Sequence, residues 1–449
     1  MLKELLKPEI KELIDKRSWN DLKNVLDTWP APEVADLLLD IDKSDRVLLF
    51  RVLPRDLSAD VFTFFDHDER DNLLREMTNQ ETRVLLSELD PDDRTELLAE
   101  LPSKATRRML NLLNPEDLKE ARQLLGYPED SIGRLMTPDF VAARPDWTVA
   151  KTLEQIRRFG KDSETINRIY IIDKSGKLLD DIMLRYIILS DADKTISELM
   201  DYNVVSVSAF DDQEEAVRSM ERYDIGALPV VDSQEQLVGI VTFDDVIDVQ
   251  AEEATEDFQK TSAINPVDQS YMSAGVFKLW WKRIPWLFVL LIANSITAGF
   301  MSNFEEALQA QLALIYFIPL LIGTAGNSGT QSATLVIRSI ALGSLQLKDW
   351  WRVLKKELTV GLLLGIVLGM LTFLGGYVHK DGSVNLAIVI SLSILVMILW
   401  ANIIGSLLPL ILEKLGLDPA VISSPFIATL IDVTGLLIYF NIAIWWFEI

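Results

Sequence analysis

A multidomain membrane protein is what this sequence predicts: an α-helical solenoid, an α/β repeat pair, a connecting helix and five transmembrane α-helices. Three observations carry the prediction. Short helix-like units recur every 24 residues near the N-terminus, a longer β/α pattern occurs twice after them, and five apolar stretches fill the C-terminal part. Charge follows the same division. The 43 Lys+Arg stand against 67 Asp+Glu, a net −24. From Val276 onward ten basic side chains face nine acidic ones, so the first 275 residues carry the whole surplus, a net −25. Such a balance argues against nucleic acid as a partner and for cations.

With no cysteine and two histidines, His67 and His379, disulfides, zinc sites, iron–sulfur clusters and thiol catalysis are excluded. Any metal must be a hard one on oxygen ligands. The opening "MLKELLKPEIKELIDK" is amphipathic and lacks the continuous apolar core of a signal peptide, so the first half is expected on the side of the membrane where it is made.

The first region is assigned to residues 1–129. "IDKSDRVLLF" from Ile41, "FDHDERDNLL" from Phe65, "LDPDDRTELL" from Leu89 and "LNPEDLKEAR" from Leu113 follow one another at 24-residue intervals. Paired leucines at helical spacing, closed by Pro or Gly, read as stacked short helices. The Asp or Asn opening each unit is a natural N-cap, a role expected to absorb many of the acids.

In residues 130–249, "LMTPDFVAARPDWTVAKTLEQIRRF" from Leu135 parallels "LMDYNVVSVSAFDDQEEAVRSMERY" from Leu199. "IYIIDKSGKLLDDIMLRYII" likewise parallels "LPVVDSQEQLVGIVTFDDVI". Each unit reads as a β-rich segment, an amphipathic helix, two short strands and a final helix. The pair resembles tandem cystathionine-β-synthase (CBS) domains, a regulatory module. In the second unit "GIVTFDD" keeps Gly239, Thr242 and Asp245. The resemblance implies that Thr242 and Asp245 hold an adenosine nucleotide such as ATP. The first unit has Asp180 and Arg185 where the second has Gly239 and Asp244, which departs from that pattern.

Residues 250–275 contain "AEEATEDFQK" from Ala251 and are expected to continue as a polar helix into the membrane. Five stretches then approach the ~20 apolar residues that a spanning helix needs, near 284–304, 312–336, 358–379, 384–412 and 420–447. Arg338, Lys348, Arg352, Lys355 and Lys356 make the second loop the basic one. The positive-inside rule therefore places the N-terminal half in the cytoplasm and the C-terminus outside, with Trp residues as interface anchors.

The second stretch, "FIPLLIGTAGNSGTQSATLVIRS", carries Pro319, Gly323, Gly326 and Gly329. It either admits a neighbouring helix closely or breaks beside a polar cavity. Asn327 and Gln331 share a helical face. From Pro419 to Phe447, Asp432 is the only charged residue among 29 positions. Every Lys and Arg of this half falls near a span end, leaving Asp432 without an expected partner. An unpaired carboxylate there costs at least ~2.5 kcal/mol and persists only where it meets water or a passing cation. No second acid is expected at depth, which disfavours an intramembrane aspartyl protease. His379, in an outer loop, disfavours a Ser–His hydrolase. The chain is not expected to be an enzyme. Mg²⁺, held through retained water by one or two carboxylates, suits a single Asp doubled by a two-fold axis; Na⁺ and Ca²⁺ pathways could use similar residues.

The order of these regions, with "PLLIGTAGNSGTQSATLVIRS", "LDPAVISSPFIATLIDVTGLLIYF" and "EEATED", resembles the MgtE family of bacterial Mg²⁺ channels over the full length. The resemblance implies a homodimeric, Mg²⁺-selective channel for uptake across the bacterial cytoplasmic membrane. It implies as well that the ion is held by Asp432 with the carbonyls of Ala428 and Ser424, and that Asn327 lines the pore. The family often has Asn where Ser424 stands. The resemblance also implies a cytoplasmic Mg²⁺ sensor that closes the pore. Its positions are Asp60, Asp92 and Glu96 in the solenoid; Glu214, Asp224, Asp245 and Asp248 in the CBS pair; and Glu253, Glu256 and Asp257 beyond it. Cations between acidic faces would draw the domains together and shift the population towards the closed form. Two rival readings stand beside it: an ion-coupled secondary Mg²⁺ transporter or exporter, which an inverted repeat would favour, and a membrane-tethered nucleotide sensor without transport.

Overall fold

The computed structural model describes residues 9–14, 16–267, 271–272, 274–378, 383–421 and 423–448. The start of the N-terminal amphipathic stretch and the loop residues His379, Lys380 and Asp381 lie outside them. The chain forms two compact units that meet in sequence at Glu253 and Ala254.

The 24-residue repeat is a helix pair. After α1 (Trp19–Leu26) and α2 (Ala31–Leu39), the units are α3 (Lys43–Phe50) with α4 (Arg55–Thr63), α5 (His67–Glu76) with α6 (Asn79–Glu88), and α7 (Pro91–Glu100) with α8 (Ser103–Leu110). Helix α9 (Pro115–Leu124) opens the last repeat. Leucines at helical spacing bury into one continuous core from Ile10 to Ala121. The opening residue of each repeat does occupy the N-cap, but the expected hydrogen bond forms only twice. Asp66 accepts from the Glu69 amide, and Asn114 from Glu116 and Asp117. The side chains of Asp42 and Asp90 make no such bond.

The CBS-like pair starts at α10 (Ile132–Leu135). Its first unit contains β1 (Phe140–Ala143), α11 (Val149–Phe159), β2 (Thr165–Ile172), β3 (Leu178–Met183) and α12 (Leu184–Ile188). The second contains β4 (Val207–Ser208), α13 (Gln213–Tyr223), β5 (Ala227–Val231), β6 (Leu237–Thr242) and α14 (Phe243–Thr261). Each forms a three-stranded sheet whose first strand runs parallel to the second and whose second and third are antiparallel. Isolated bridges Thr137–Ile240 and Lys177–Gln236 stitch the repeats together around Tyr170, Leu178 and Ile240.

Helix α14 ends at Thr261 and does not run to residue 275 as expected. Ala263 takes a left-handed φ of 60°, and Pro266 cannot continue a helix. Long helices follow: α15 (Val276–Ser302), the short α16 (Glu305–Ala310), α17 (Ala313–Ala341), α18 (Trp350–Val378), α19 (Val384–Lys414) and α20 (Ser424–Phe447). Among the described residues four helices are long and apolar enough to cross a membrane: α15, α18 with its leading turn, α19 and α20. Five were expected. Helix α17 has the length, 29 residues, but Thr324, Asn327, Ser328, Thr330 and Gln331 dilute its apolar character. Trp280, Trp281, Trp350, Trp351 and Trp445 are exposed near helix ends. Small residues set the packing. Gly361, Gly365, Gly369 and Gly376 of α18 lie buried against α19, and Tyr439 Oη of α20 donates to the Leu314 carbonyl of α17 at 3.0 Å.

Candidate functional site

Helix α20 begins where Ser423 Oγ accepts from the Phe426 amide and Pro425 occupies the first turn, where its missing N–H is no loss. At a spacing of four, Ser424, Ala428 and Asp432 then form one stripe along the helix. Asp432 is half-buried, and no hydrogen bond or ion pair reaches its carboxylate among the described residues. Across from it lies α17, continuous through Pro319 and all three glycines. The two alternatives for that segment thus resolve towards close approach. A Cβ at Gly326 would stand 3.6 Å from Asp432 Oδ1 and 3.7 Å from the Ala428 Cβ. At Gly329 it would stand 2.1 Å from the Ile431 Cδ1 and 3.0 Å from the Ala401 carbonyl oxygen. Asn327 and Gln331 are both exposed and hydrogen-bond no neighbouring helix among the described residues.

The expectation of a single acid at depth needs correction. Glu357, in the second turn of α18, is 9% exposed. Its place directly after Lys355 and Lys356 makes it read as part of the basic loop, yet it falls on the same face as Gly361 and Gly365 and turns inward. Within the same unit, Lys260 Nζ contacts Asp418 Oδ2 at 2.8 Å and Glu256 Oε1 at 2.6 Å. Asp418 also accepts from the Ala420 amide at 2.8 Å, tying the end of α14 to the turn before α20.

In the N-terminal unit, a cavity of about 700 Å³ lies between α7, the start of the CBS-like pair and the first turns of α14. Twelve carboxylates and two guanidiniums, Arg70 and Arg134, line it. Crowding and burial have predictable consequences for acids. Asp92 is pushed well above the usual range, by burial first and then by Asp245, Asp93 and Glu164. Burial, reinforced by Glu96, Asp90 and Asp245, raises Asp93 to about 7. Glu164 also reaches about 7, through burial and then Asp90, Asp245 and Asp244. Burial lifts Asp245 to about 6 although Thr242 Oγ1 donates to it at 2.7 Å. Asp90 also lines this cavity, its carboxylate raised by burial against the pull of Arg94. The buried Asp92 Oδ1 has no hydrogen-bond partner among the described residues. Among the described residues no three His, Asp or Glu converge closely enough to clasp an ion. Oxygen donors set apart in this way fit a hard cation that keeps its water.

Residues 318–442 match the family description "Divalent cation transporter". Residues 29–130 match "MgtE intracellular N domain", and 132–190 and 196–252 match "CBS domain". The magnesium transporter MgtE of Thermus thermophilus is 44% identical over 72% of both chains. The chain belongs to the MgtE family. The magnesium transporter MgtE of Enterococcus faecalis is 36% identical over 72% of this chain and 71% of that one. Among solved structures, the cytosolic domain of the Mg²⁺ channel MgtE in complex with ATP is similar at 34% identity and a TM-score of 0.52, covering 54% of this chain and 98% of that one.

Of the sensor residues carried over from the MgtE resemblance, Asp92, Glu96, Asp245 and Asp248 line the cavity. Asp60 stands outside its lining, near enough to Asp90 and Asp56 to be raised by them after burial. Glu253 accepts from Gln213 Nε2 at 2.9 Å, and Glu214 is ion-paired with Arg218 on its own helix. Asp224 is exposed at the left-handed C-cap of α13, and Glu256 belongs to the Lys260 fork. Asp257 lies in the last turns of α14, outside the cavity lining. Sequence reasoning missed Asp90, Asp93, Glu100, Glu129, Asp130, Glu164, Asp244 and Glu252. Asp93 and Asp244 adjoin chosen residues, a signal that was available; Glu164 arrives through the fold alone.

Proposed function

We propose that this MgtE-family chain is a Mg²⁺-selective channel for uptake, closed by Mg²⁺ at its acidic cavity. Its regions are a sensor solenoid (1–129), a CBS pair (130–249), a connecting segment (250–275) and a transmembrane domain (276–449), working as a homodimer in the bacterial cytoplasmic membrane. All five long helices span, α17 included, with the N-terminal half in the cytoplasm and the C-terminus outside. The observation that carries the reading is Asp432: a half-buried, unpaired carboxylate on a stripe with Ser424 and Ala428, approached closely by Gly326. The exposed Asn327 joins this lining. A hydrated ion needs only water-mediated contact with such groups, and their doubling about a two-fold axis would enclose it.

The cavity acts as the sensor. At low Mg²⁺ its carboxylates repel one another or retain protons; at higher Mg²⁺ the cation replaces the protons and draws the walls together. Asp92, Glu96, Asp245 and Asp248 contribute at the cavity, with Asp90, Asp93 and Glu164 added by their position; Asp60, Glu214, Asp224, Glu253, Glu256 and Asp257, outside its lining, keep only the role that the family resemblance gives them. The ATP complex of a relative supports an adenosine nucleotide at Thr242 and Asp245. Because Asp245 also faces the acidic cavity, a triphosphate fits there only with a divalent cation beside it. Patch recording with Mg²⁺ as the only permeant cation tests the whole reading. Currents should be suppressed by Mg²⁺ on the cytoplasmic face and lost in Asp432→Ala. Proton- or Na⁺-coupled flux without channel currents would favour the secondary transporter.

A further inference from the structure

One buried polar residue lies outside every role described so far. Asn402, in the middle of α19, is 2% exposed. Its Oδ1 accepts from Ser328 Oγ of α17 at 2.7 Å, and its Nδ2 donates to the Glu357 carbonyl of α18 at 3.4 Å. Its own backbone carbonyl accepts from Ser332 Oγ, one turn further along α17, at 3.4 Å. One residue therefore fastens α17 at two successive turns and reaches α18 as well. The fastening is made at a tight crossing: a Cβ at Gly405 would stand 2.2 Å from the Gly329 carbonyl oxygen.

The place of these contacts around α17 decides what they do. Gly326 faces Asp432 and Ala428. Ser328 is two residues on, about 200° around the helix at ~100° per residue. Asn402 thus holds α17 from behind while its front presents a bare backbone to the acid. We propose that Asn402 is a positioning residue for the ion site: it fixes the rotation and height of α17, and so the width of the gap between Gly326 and Asp432. This rests on the reading of Asp432 as the ion-holding carboxylate. A bonded Asn inside a bundle also contributes to helix association, so the test must separate position from assembly.

The full chain, reconstituted in liposomes, provides that separation when Mg²⁺ influx is normalised to assembled protein measured by size exclusion. Asn402→Leu should raise half-saturating Mg²⁺ about tenfold, the order seen when outer-shell supports of a metal site are removed. Ser328→Ala should move it in the same direction by a smaller factor, and the double variant should be no worse than Asn402→Leu alone. Asn402→Asp, which when protonated offers the same acceptor and a donor, should restore near-normal half-saturation. Unchanged half-saturation in both single variants, with only the assembled yield reduced, would overturn the proposal. So would effects of Ser328→Ala and Asn402→Leu that multiply independently. If Asn402→Leu does not assemble, Ser328→Ala decides the matter alone. Asp432→Asn distinguishes the two levels. Unaltered flux in that variant brings down the site reading and this proposal together. Lost flux there, with unshifted half-saturation in Ser328→Ala and Asn402→Leu, brings down this proposal only.

Discussion

The acidic cavity and the Asp432 stripe both hold carboxylates partly out of bulk water, Asp92 buried with Asp93, Glu164 and Asp245 half-buried in the one and Asp432 half-buried in the other, by opposite means. In the cavity the acids are many and adjacent, and each raises its neighbours, so protons or cations must be shared among them. Asp432 has no hydrogen-bond or ion-pair partner among the described residues. A cluster responds in a graded way because losing one member leaves the others, whereas a lone group has no substitute. The difference teaches that charge number suits sensing and charge isolation suits passage.

Asp432→Ala should have the largest effect. Removing a charged contact of about 3 kcal/mol corresponds to roughly a hundredfold loss, read as Mg²⁺ influx per assembled channel. A comparable loss from Asp92→Asn would erase the contrast, since the cluster should lose only part of its Mg²⁺ response. Next comes the crossing behind the stripe. Gly405→Ala forces a methyl group into the Gly329 carbonyl and should cost about 1–3 kcal/mol as overpacking, seen as lower detergent stability. Gly375→Ala, with open space around it, should be tolerated.

The cavity also predicts a pH dependence. Asp93 and Glu164 at about 7 and Asp245 at about 6 hold more protons when folded than when unfolded, where such acids titrate near 4. Without Mg²⁺, their contribution to stability therefore falls as pH rises from about 4 to 7 and levels off above. Thermal melting should show a drop of roughly 5 °C over that window, smaller in Asp93→Asn and abolished by saturating Mg²⁺. A Mg²⁺-free melting temperature that climbs through the window in wild type, and equally in Asp93→Asn, would contradict the clustering. Smaller still, Asp66→Ala should cost about 1 kcal/mol by removing a working cap, while Asp90→Ala should cost less or stabilise the Mg²⁺-free chain. Lys260→Ala removes a partly exposed fork worth at most ~1 kcal/mol. Its readout is a change in open probability of a few-fold at most.

Much of this was legible in the sequence because its signals are local. The Asp or Asn at 42, 66, 90 and 114 shows the repeat, the two β/α units show themselves by parallel spacing, and Asp432 stands out against 28 uncharged neighbours. What escaped depends on residues far apart. Glu164 joins Asp92 and Asp245 only because α7, β2 and α14 converge. Asn402 sits in "ILWANIIGSLL" as one of two polar residues, with Ser406, in an apolar run, and its side-chain partners are 74 and 45 positions away. Glu357 was hidden by the two lysines before it. The early end of α14 was readable in Pro266.

The uncapped Asp90 has a consequence for how the solenoid comes apart. Stacked repeats normally loosen from their ends, where each unit has one neighbour instead of two. Here the third repeat lacks a capping bond in the interior of the stack, and the same carboxylate raises Asp93 and Glu164. In cation-free solution the weakest seam should therefore run through α7, giving an opening in mid-array. Amide hydrogens near Asp92 would then exchange before those of the capped α5, and the solenoid would report the ion it lacks by the place where it first unzips.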